Sequence, residues 1–392
     1  MTRDNKDLLV GLDIGTSKVV AIVAELHADG EIEVIGTGQH ESNGLKKGVV
    51  VDIEKTVASI QAALEEAEIT SGNKIQQVVT GIAGSHIRSF NSIGMVAIKD
   101  KEVTEADVAR VIETAKAVAI PTDQQILHVL PQEFIIDGQE DIREPVGMSG
   151  VRLDVKVHVV TGAVSAVQNI IKCVRRCGLA VQDLILQPLA SANAVLTADE
   201  KELGVALVDI GGGTAEIAVI SLGGIVSNNS IKMAGDDFTA DIREYMSRQH
   251  NVSVSERMAE RIKIQVGSAL AELPANEAPA DYVVHGPNRI TALPMEVSVC
   301  YQEIAHCLER SVARIETAVL NALSNTPPEL YADIVKNGIY LTGGGALLRG
   351  LDKRLTDKIN IPFHVAEDPL LCVARGTGKA LANIDEYPCL MR

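Results

Sequence analysis

A chain of 392 residues, 46% apolar and 22% charged, is long enough for two large domains or four small ones, each burying a core. Its formal charge of −16, with no Trp, six Tyr and four Phe, argues against an electrostatic grip on nucleic acid and against base- or sugar-stacking platforms. No apolar run approaches the ~18 residues of a membrane-spanning helix, the start over residues 1–7 is too polar for a signal peptide, and no polybasic segment faces anionic lipid, so the expected location is the cytoplasm.

In chain order, the first element is a β-hairpin. A buried strand over residues 8–12 runs into Asp13-Ile14-Gly15-Thr16-Ser17-Lys18, and the apolar run 19–23 follows. Residues 54–68 repeat with helical period, and 75–82 read as the next strand. A second helix is predicted over 104–119, opened by Thr104 as N-cap with Asp107 three positions on. Two β-rich runs follow at 125–136 and 151–161, with a Gly- and Pro-bearing loop between them. Cys173 and Cys177 lie four apart on one helix face; with no His or Cys cluster at ligand spacing, they read as reduced structural thiols.

The first hairpin then recurs. Residues 205–208 lead into Asp209-Ile210-Gly211-Gly212-Gly213-Thr214 and a second apolar run at 215–220, with the two aspartates 196 residues apart. That is about half the chain and suggests two related halves facing each other. Long helices are predicted over 254–272 and 301–323. A short strand at 338–341 precedes Thr342-Gly343-Gly344-Gly345 and a helix over 346–359. The alternation of helices and strands indicates α/β architecture.

The turns carry the chemistry. Glycine-rich turns after buried strands let backbone N–H groups approach an anion, so Gly15, Thr16 and Ser17 with Gly211, Gly212, Gly213 and Thr214 can clasp a polyphosphate from two sides. Asp13 and Asp209 at the strand ends suit a hydrated Mg²⁺, and Lys18 supplies a point charge. The plainer reading, tight hairpins and nothing more, suffices for one copy and loses ground with two. Glu260 and Lys263 share a helix face, where they bracket a diol or form an ordinary surface ion pair. The strand, glycine turn and helix start around Gly343, Gly344 and Gly345 can receive a phosphate or a nucleoside edge.

Together these elements resemble the nucleotide site of the actin, Hsp70 and hexokinase superfamily. The resemblance implies ATP as cofactor, Asp13 and Asp209 around Mg²⁺ through water, and residues 15–18 and 211–214 on the phosphates. It also implies Glu260 and Lys263 at the ribose, with Gly343, Gly344 and Gly345 beside the nucleoside. Gly235-Asp236-Asp237-Phe238 is similar to a further superfamily signature. Residues 188–194 and 374–380 look like the two helices that cross between the halves, and their small residues permit close contact. Gln187 stands where actin-like proteins carry the residue that orients attacking water; a solvated strand end is the other reading of it.

Within the superfamily, residues 46–52 (Lys46-Lys47-Gly48-Val49-Val50-Val51-Asp52), 130–137 and 148–153 are similar to the FtsA family of bacterial cell division. That likeness implies an actin-like, ribonuclease H-like duplicated α/β fold in two lobes, with a 1C-type insertion in place of actin 1B. The implied subdomains are 1A (1–84, 162–204 and 357–392), 1C (85–161), 2A (205–228 and 304–356) and 2B (229–303). It further implies actin-like self-assembly, the FtsZ C-terminal tail bound through 2B, and other division proteins bound through 1C; Gln187, the one candidate for the water-orienting role, is a poor base, so slow ATP turnover at most is expected. The family tether to the cytoplasmic side of the inner membrane is a C-terminal amphipathic helix. This sequence reaches Arg392 without one, and the expectation is a trimmed chain that binds membranes poorly.

Three relatives of the superfamily compete. An Hsp70-type chaperone needs a further substrate domain, and a sugar kinase needs a catalytic base that no residue here offers. A pilus-assembly actin homologue shares a 1C-like insertion, but residues 130–137 and 148–153 count against it.

Overall fold

The computed structural model describes residues 8–27, 32–221 and 224–382. The polar start, Cys389 and the end of the chain at 387–392 lie outside the described residues.

The first lobe grows from the first hairpin. Strands β1 (Leu8–Ile14), β2 (Lys18–Leu26) and β3 (Ile32–Glu41) form an antiparallel meander. A small hairpin, β4 (Leu45–Lys46) and β5 (Val49–Val50), leads to helix α1 (Ile53–Ser71). The Asp52 carboxylate accepts from the Lys55 N–H to cap the start of α1, and Gly72 in the left-handed region ends it. The chain returns as β6 (Gln77–Ile82), parallel to β1.

An insertion follows, made of β7 (Ile87–Ala97), α2 (Glu105–Lys116), β8 (Gln124–Ile136), β9 (Gln139–Ile142) and β10 (Arg152–Ala163). Its four strands form a separate antiparallel sheet in the order β7-β10-β8-β9, and Val111 and Ala115 of α2 pack on one face of it. Thr104 and Asp107 form the capping box that opens α2, as the spacing predicts. The helix stops at Lys116, three residues short of the predicted end. Helix α3 (Val164–Arg176) and β11 (Ala180–Leu186) then complete the first five-stranded sheet, in the order β11-β6-β1-β2-β3.

Helices α4 (Gln187–Val195) and α5 (Ala198–Leu203) lead into the second lobe. There β12 (Val205–Ile210), β13 (Ala215–Ser221) and β14 (Gly224–Ile231) repeat the antiparallel meander. Next come α6 (Gly235–Gln249), α7 (Glu256–Val266), the hairpin β15 (Tyr282–Pro287) and β16 (Pro294–Val299), and helices α8 (Tyr301–Ser324) and α9 (Pro328–Asn337). Strand β17 (Ile339–Thr342), a 3-10 turn over Gly344–Leu347, α10 (Leu351–Ile359), β18 (Phe363–Val365) and α11 (Cys372–Ala382) close the described chain. The second sheet runs β14-β13-β12-β17-β18. Counted within its lobe, each sheet has the same order: an antiparallel meander, then two strands parallel to its first. The duplication expected from the two hairpins is therefore a duplication of whole sheets.

Several boundaries shift for local reasons. The helix predicted to reach 272 ends at Val266, because Gly267 is extended and Ser268 pairs with Arg349 in a β-bridge. The helix predicted over 346–359 is split, because Leu348 is extended and Gly350 turns left-handed before α10 starts. Expected subdomain boundaries at 228/229, 303/304 and 356/357 fall inside β14, α8 and α10. Among the described residues, no helix is long and apolar enough to cross a membrane.

Candidate functional site

Both hairpin turns open at the same end of their sheets, and they face one another. Each is closed by one backbone bond of the same length. The Gly15 N–H donates to the Lys18 carbonyl at 3.0 Å, and the Gly211 N–H donates to the Thr214 carbonyl at 3.0 Å. Between them lies a cleft of about 500 Å³. The first turn contributes Asp13, Gly15, Thr16, Ser17 and Lys18 to its walls, and the second contributes Asp209, Gly211, Gly212, Gly213 and Thr214. Glu260 and Lys263 of α7, the run Gly343, Gly344 and Gly345, and Gln187 at the start of α4 line the same cleft. The structure thus brings the residues expected around the nucleotide, and Gln187, to one cleft.

At two glycines an added Cβ would meet a neighbour in the cleft as it stands. A Cβ on Gly212 would sit 1.9 Å from the Ser17 hydroxyl across the cleft. Gly343, left-handed at φ 78°, passes so close to Asp209 that a Cβ would lie 2.5 Å from its Oδ1.

The electrostatics centre on two buried aspartates. Burial pushes the Asp13 carboxyl up to about 7, with the neighbouring Asp209 charge adding to the rise. Lys18 and a hydrogen bond from Gln187, whose Nε2 donates to Asp13 Oδ1 at 2.8 Å, work in the other direction. Asp209 is raised as well, again by burial first, although it accepts a hydrogen bond from Ser191 at 2.9 Å. Two desolvated carboxylates side by side form a place that favours a cation or a proton. Among the described residues, no group of three or more His, Cys, Asp or Glu is placed to hold a metal ion by itself.

Three predicted residues have partners the sequence did not suggest. The Lys18 ammonium donates to the Leu370 carbonyl at 2.8 Å, in the segment that joins the second lobe to α11. Gln187 is bonded to Asp13 and is not a solvated strand end. Lys263 pairs with Glu260 at 2.6 Å, and it also donates to the Gly235 carbonyl at 2.9 Å and the Thr239 hydroxyl at 3.1 Å. That pair is pinned to the start of α6, so it is more than a surface contact.

Sequence reasoning missed other parts. Ile264, Leu347 and Leu370 give the cleft an apolar wall. Glu216 sits opposite Asp209 in the β12–β13 register, is 3% exposed, and accepts a hydrogen bond from Ser230 at 2.8 Å. Burial pushes its carboxyl up to about 7. The signal was present, since Glu216 is the one charged side chain in a strand whose every residue is buried. Lys47 of the small β4–β5 hairpin also reaches the cleft rim, where it pairs with Asp237 of the second lobe.

Residues 151–388 match the family model described as MreB/Mbl protein, and residues 84–161 match the one described as an SHS2 domain inserted in FTSA. The chain is 50% identical over 358 residues to the cell division protein FtsA of Pseudomonas aeruginosa, covering 91% of this chain and 82% of that protein. It is 39% identical over 351 residues to the cell division protein FtsA of Escherichia coli K12, covering 88% and 81%. Among solved structures it is similar to MreB5 of Spiroplasma citri bound to ADP, with TM-score 0.65, 22% identity, and 98% and 99% of the two chains covered. It is also similar to a PilM–PilN type IV pilus biogenesis complex chain, with TM-score 0.64, 17% identity, and 94% and 97% covered. The fold is accordingly a two-lobed actin-like α/β fold that carries the FtsA-type insertion.

Proposed function

We propose, from the premise that this chain belongs to the FtsA family of cell division proteins, that it is an ATP-binding, actin-like filament protein that recruits FtsZ to the membrane at the division site. One observation carries the nucleotide part: two glycine turns closed by matching hydrogen bonds meet two buried aspartates in a single cleft. The ADP-bound relative supports the same assignment. In this reading Gly15 to Lys18 and Gly211 to Thr214 hold the phosphates, Glu260 and Lys263 the ribose, and Gly343 to Gly345 the nucleoside.

The aspartates fit a divalent cation. Asp13 and Asp209 are desolvated and repel each other, and Lys18 is the cation acting on both. When bound, Mg²⁺ supplies the positive charge that lets the two carboxylates and the phosphates share one site. Burial lowers the proton affinity of Lys18, and it stays close enough to the carboxylates to favour their ionised forms. Gln187 holds one Asp13 oxygen, and its own carbonyl oxygen is left to orient water. An amide is a poor base, so turnover is slow.

The partners follow the family. The FtsZ C-terminal tail binds the 2B unit, other division proteins bind the 1C insertion around 85–161, and copies of the chain stack into protofilaments. Attachment to the cytoplasmic face of the inner membrane runs through a C-terminal amphipathic helix. A pilus-assembly scaffold is the second reading, supported by the likeness to the PilM–PilN chain. A pull-down with an FtsZ C-terminal peptide, with and without ATP, tests the proposal. Capture of this chain is the expected result, and capture by a PilN peptide in its place would favour the scaffold.

A further inference from the structure

The β4–β5 hairpin is built into the cleft rim, with Gly48 of its turn lining the cleft. Leu45 pairs with Val50 and Lys46 with Val49, and the turn between them is Lys47-Gly48, both left-handed at φ 52° and 75°. A lysine in that region is strained, and surrounding contacts must hold it there. Those contacts cross between the lobes. The Lys47 backbone approaches Gly213 so closely that a Cβ on Gly213 would lie 2.9 Å from the Lys47 Cα. The Gly48 N–H donates to the Thr16 hydroxyl at 3.2 Å, which ties the hairpin to the first turn. The Lys47 ammonium pairs with the Asp237 carboxylate and donates to the Lys232 carbonyl at 3.3 Å, both in the second lobe. Asp237 is itself fixed, because it also accepts from the Ala234 N–H at 3.0 Å at the start of α6. Beside it, the Ser17 hydroxyl reaches Asp236 at 3.5 Å.

We propose that this hairpin is an interlobe latch, in which Lys47 acts as a positioning residue: its grip on Asp237 holds the lobes closed and sets how fast a bound nucleotide leaves. The proposal rests on the ATP-binding reading above. The helices α4 and α11 pack on each other between the lobes and β14 of the second lobe packs on the insertion sheet, while at the cleft rim the hairpin reaches across to the second lobe through Lys47. The Lys47 and Asp237 side chains are each 26% exposed, so their charge-assisted bond is partly shielded from water and stronger than an open surface pair.

The test is dissociation of a fluorescent ribose-labelled ATP, with Mg²⁺, from the full chain, chased with unlabelled ATP in a stopped-flow instrument. Lys47→Ala is expected to raise the dissociation rate about tenfold, the scale of one lost hydrogen bond between charged groups, while Lys47→Arg stays near the parent. Asp237→Asn keeps a side-chain oxygen for the Ala234 N–H and should raise the rate to a similar degree. The double variant should add little to either, since both remove one contact. If Lys47→Ala fails to fold, Asp237→Asn carries the same comparison. Labelled nucleotide that binds and leaves both single variants at the parent rate overturns the latch. A parent chain that binds no labelled nucleotide overturns the ATP reading, and the latch with it.

Discussion

Gly376 of α11 lies so close to the Ala190 carbonyl of α4 that a Cβ added to it would sit 1.6 Å from that oxygen. The contact is backbone against backbone, and neither helix can yield by turning a side chain. Gly376→Ala is therefore expected to destabilise the protein by about 3 kcal/mol or more, the upper range for forced overpacking. Two residues on, Gly378 has nothing within 4 Å of its would-be Cβ. Gly378→Ala should be neutral or stabilising by up to ~1 kcal/mol, from helix propensity alone. Urea unfolding midpoints of the two variants check the contrast.

Removing one of the paired carboxylates should separate stability from function. Asp13 and Asp209 both have raised proton affinities in the folded protein, burial being the first cause for each. For Asp13 that holds from the ordinary carboxylate range to about 7, and across this window the folded chain binds more protons than the unfolded one, so the ligand-free protein loses stability as pH rises; Asp209 acts in the same direction. Asp209→Asn removes a buried negative charge and should raise the melting temperature at pH 8 without ligand, with a smaller gain at pH 5. The same variant should no longer be stabilised by Mg-ATP. Thermal melts at the two pH values, with and without Mg-ATP, measure both effects.

Gln187→Ala takes away the amide that holds Asp13 at 2.8 Å. Because that bond favours the ionised carboxylate, the Asp13 proton affinity should rise further. ATP affinity is expected to stay within about threefold, and phosphate release to fall about tenfold, as for a misplaced group that positions a reactant. Single-turnover phosphate release at saturating ATP separates the two. An unchanged rate would remove Gln187 from the chemistry.

His158 gives the acid limb of stability. It is 3% exposed in the insertion sheet, with Nδ1 on the Asn91 amide oxygen at 2.7 Å and Nε2 without a partner among the described residues. Burial pushes its proton affinity down to about 4 from an ordinary 6.5. The unfolded chain binds the extra proton across that window, so stability is lost as pH falls from about 6.5 to about 4, on the order of 3 kcal/mol. His158→Gln should flatten that part of the profile relative to the parent, as followed by denaturant midpoints across the range.

The features legible from sequence were local ones. Each Asp-Ile-Gly hairpin shows itself within a dozen residues, and the Thr104–Asp107 box needs only four. Pairings of single residues between distant segments leave less of a trace. Lys47 and Asp237 are 190 positions apart, and the small residues of 188–194 and 374–380 suggest two helices in close contact without pairing Gly376 with Ala190. Glu216 went unnoticed because a buried strand reads by its apolar majority. The helix ends predicted past Val266 and before Leu351 failed where a single glycine, Gly267 or Gly350, overrode an otherwise helical pattern.

The matching turns also differ in one place that matters. In the shared register of Asp13 with Asp209, Lys18 stands where the other copy has Thr214. A cavity assembled from two equivalent halves would let a linear anion lie head-to-tail in either direction at equal energy. Lys18 on the first-lobe wall, with the Glu260–Lys263 pair and the Gly343 run on the second-lobe wall, breaks that equivalence. The two turns are near copies, and Lys18, together with elements that line the cleft from one lobe, makes its two walls unlike.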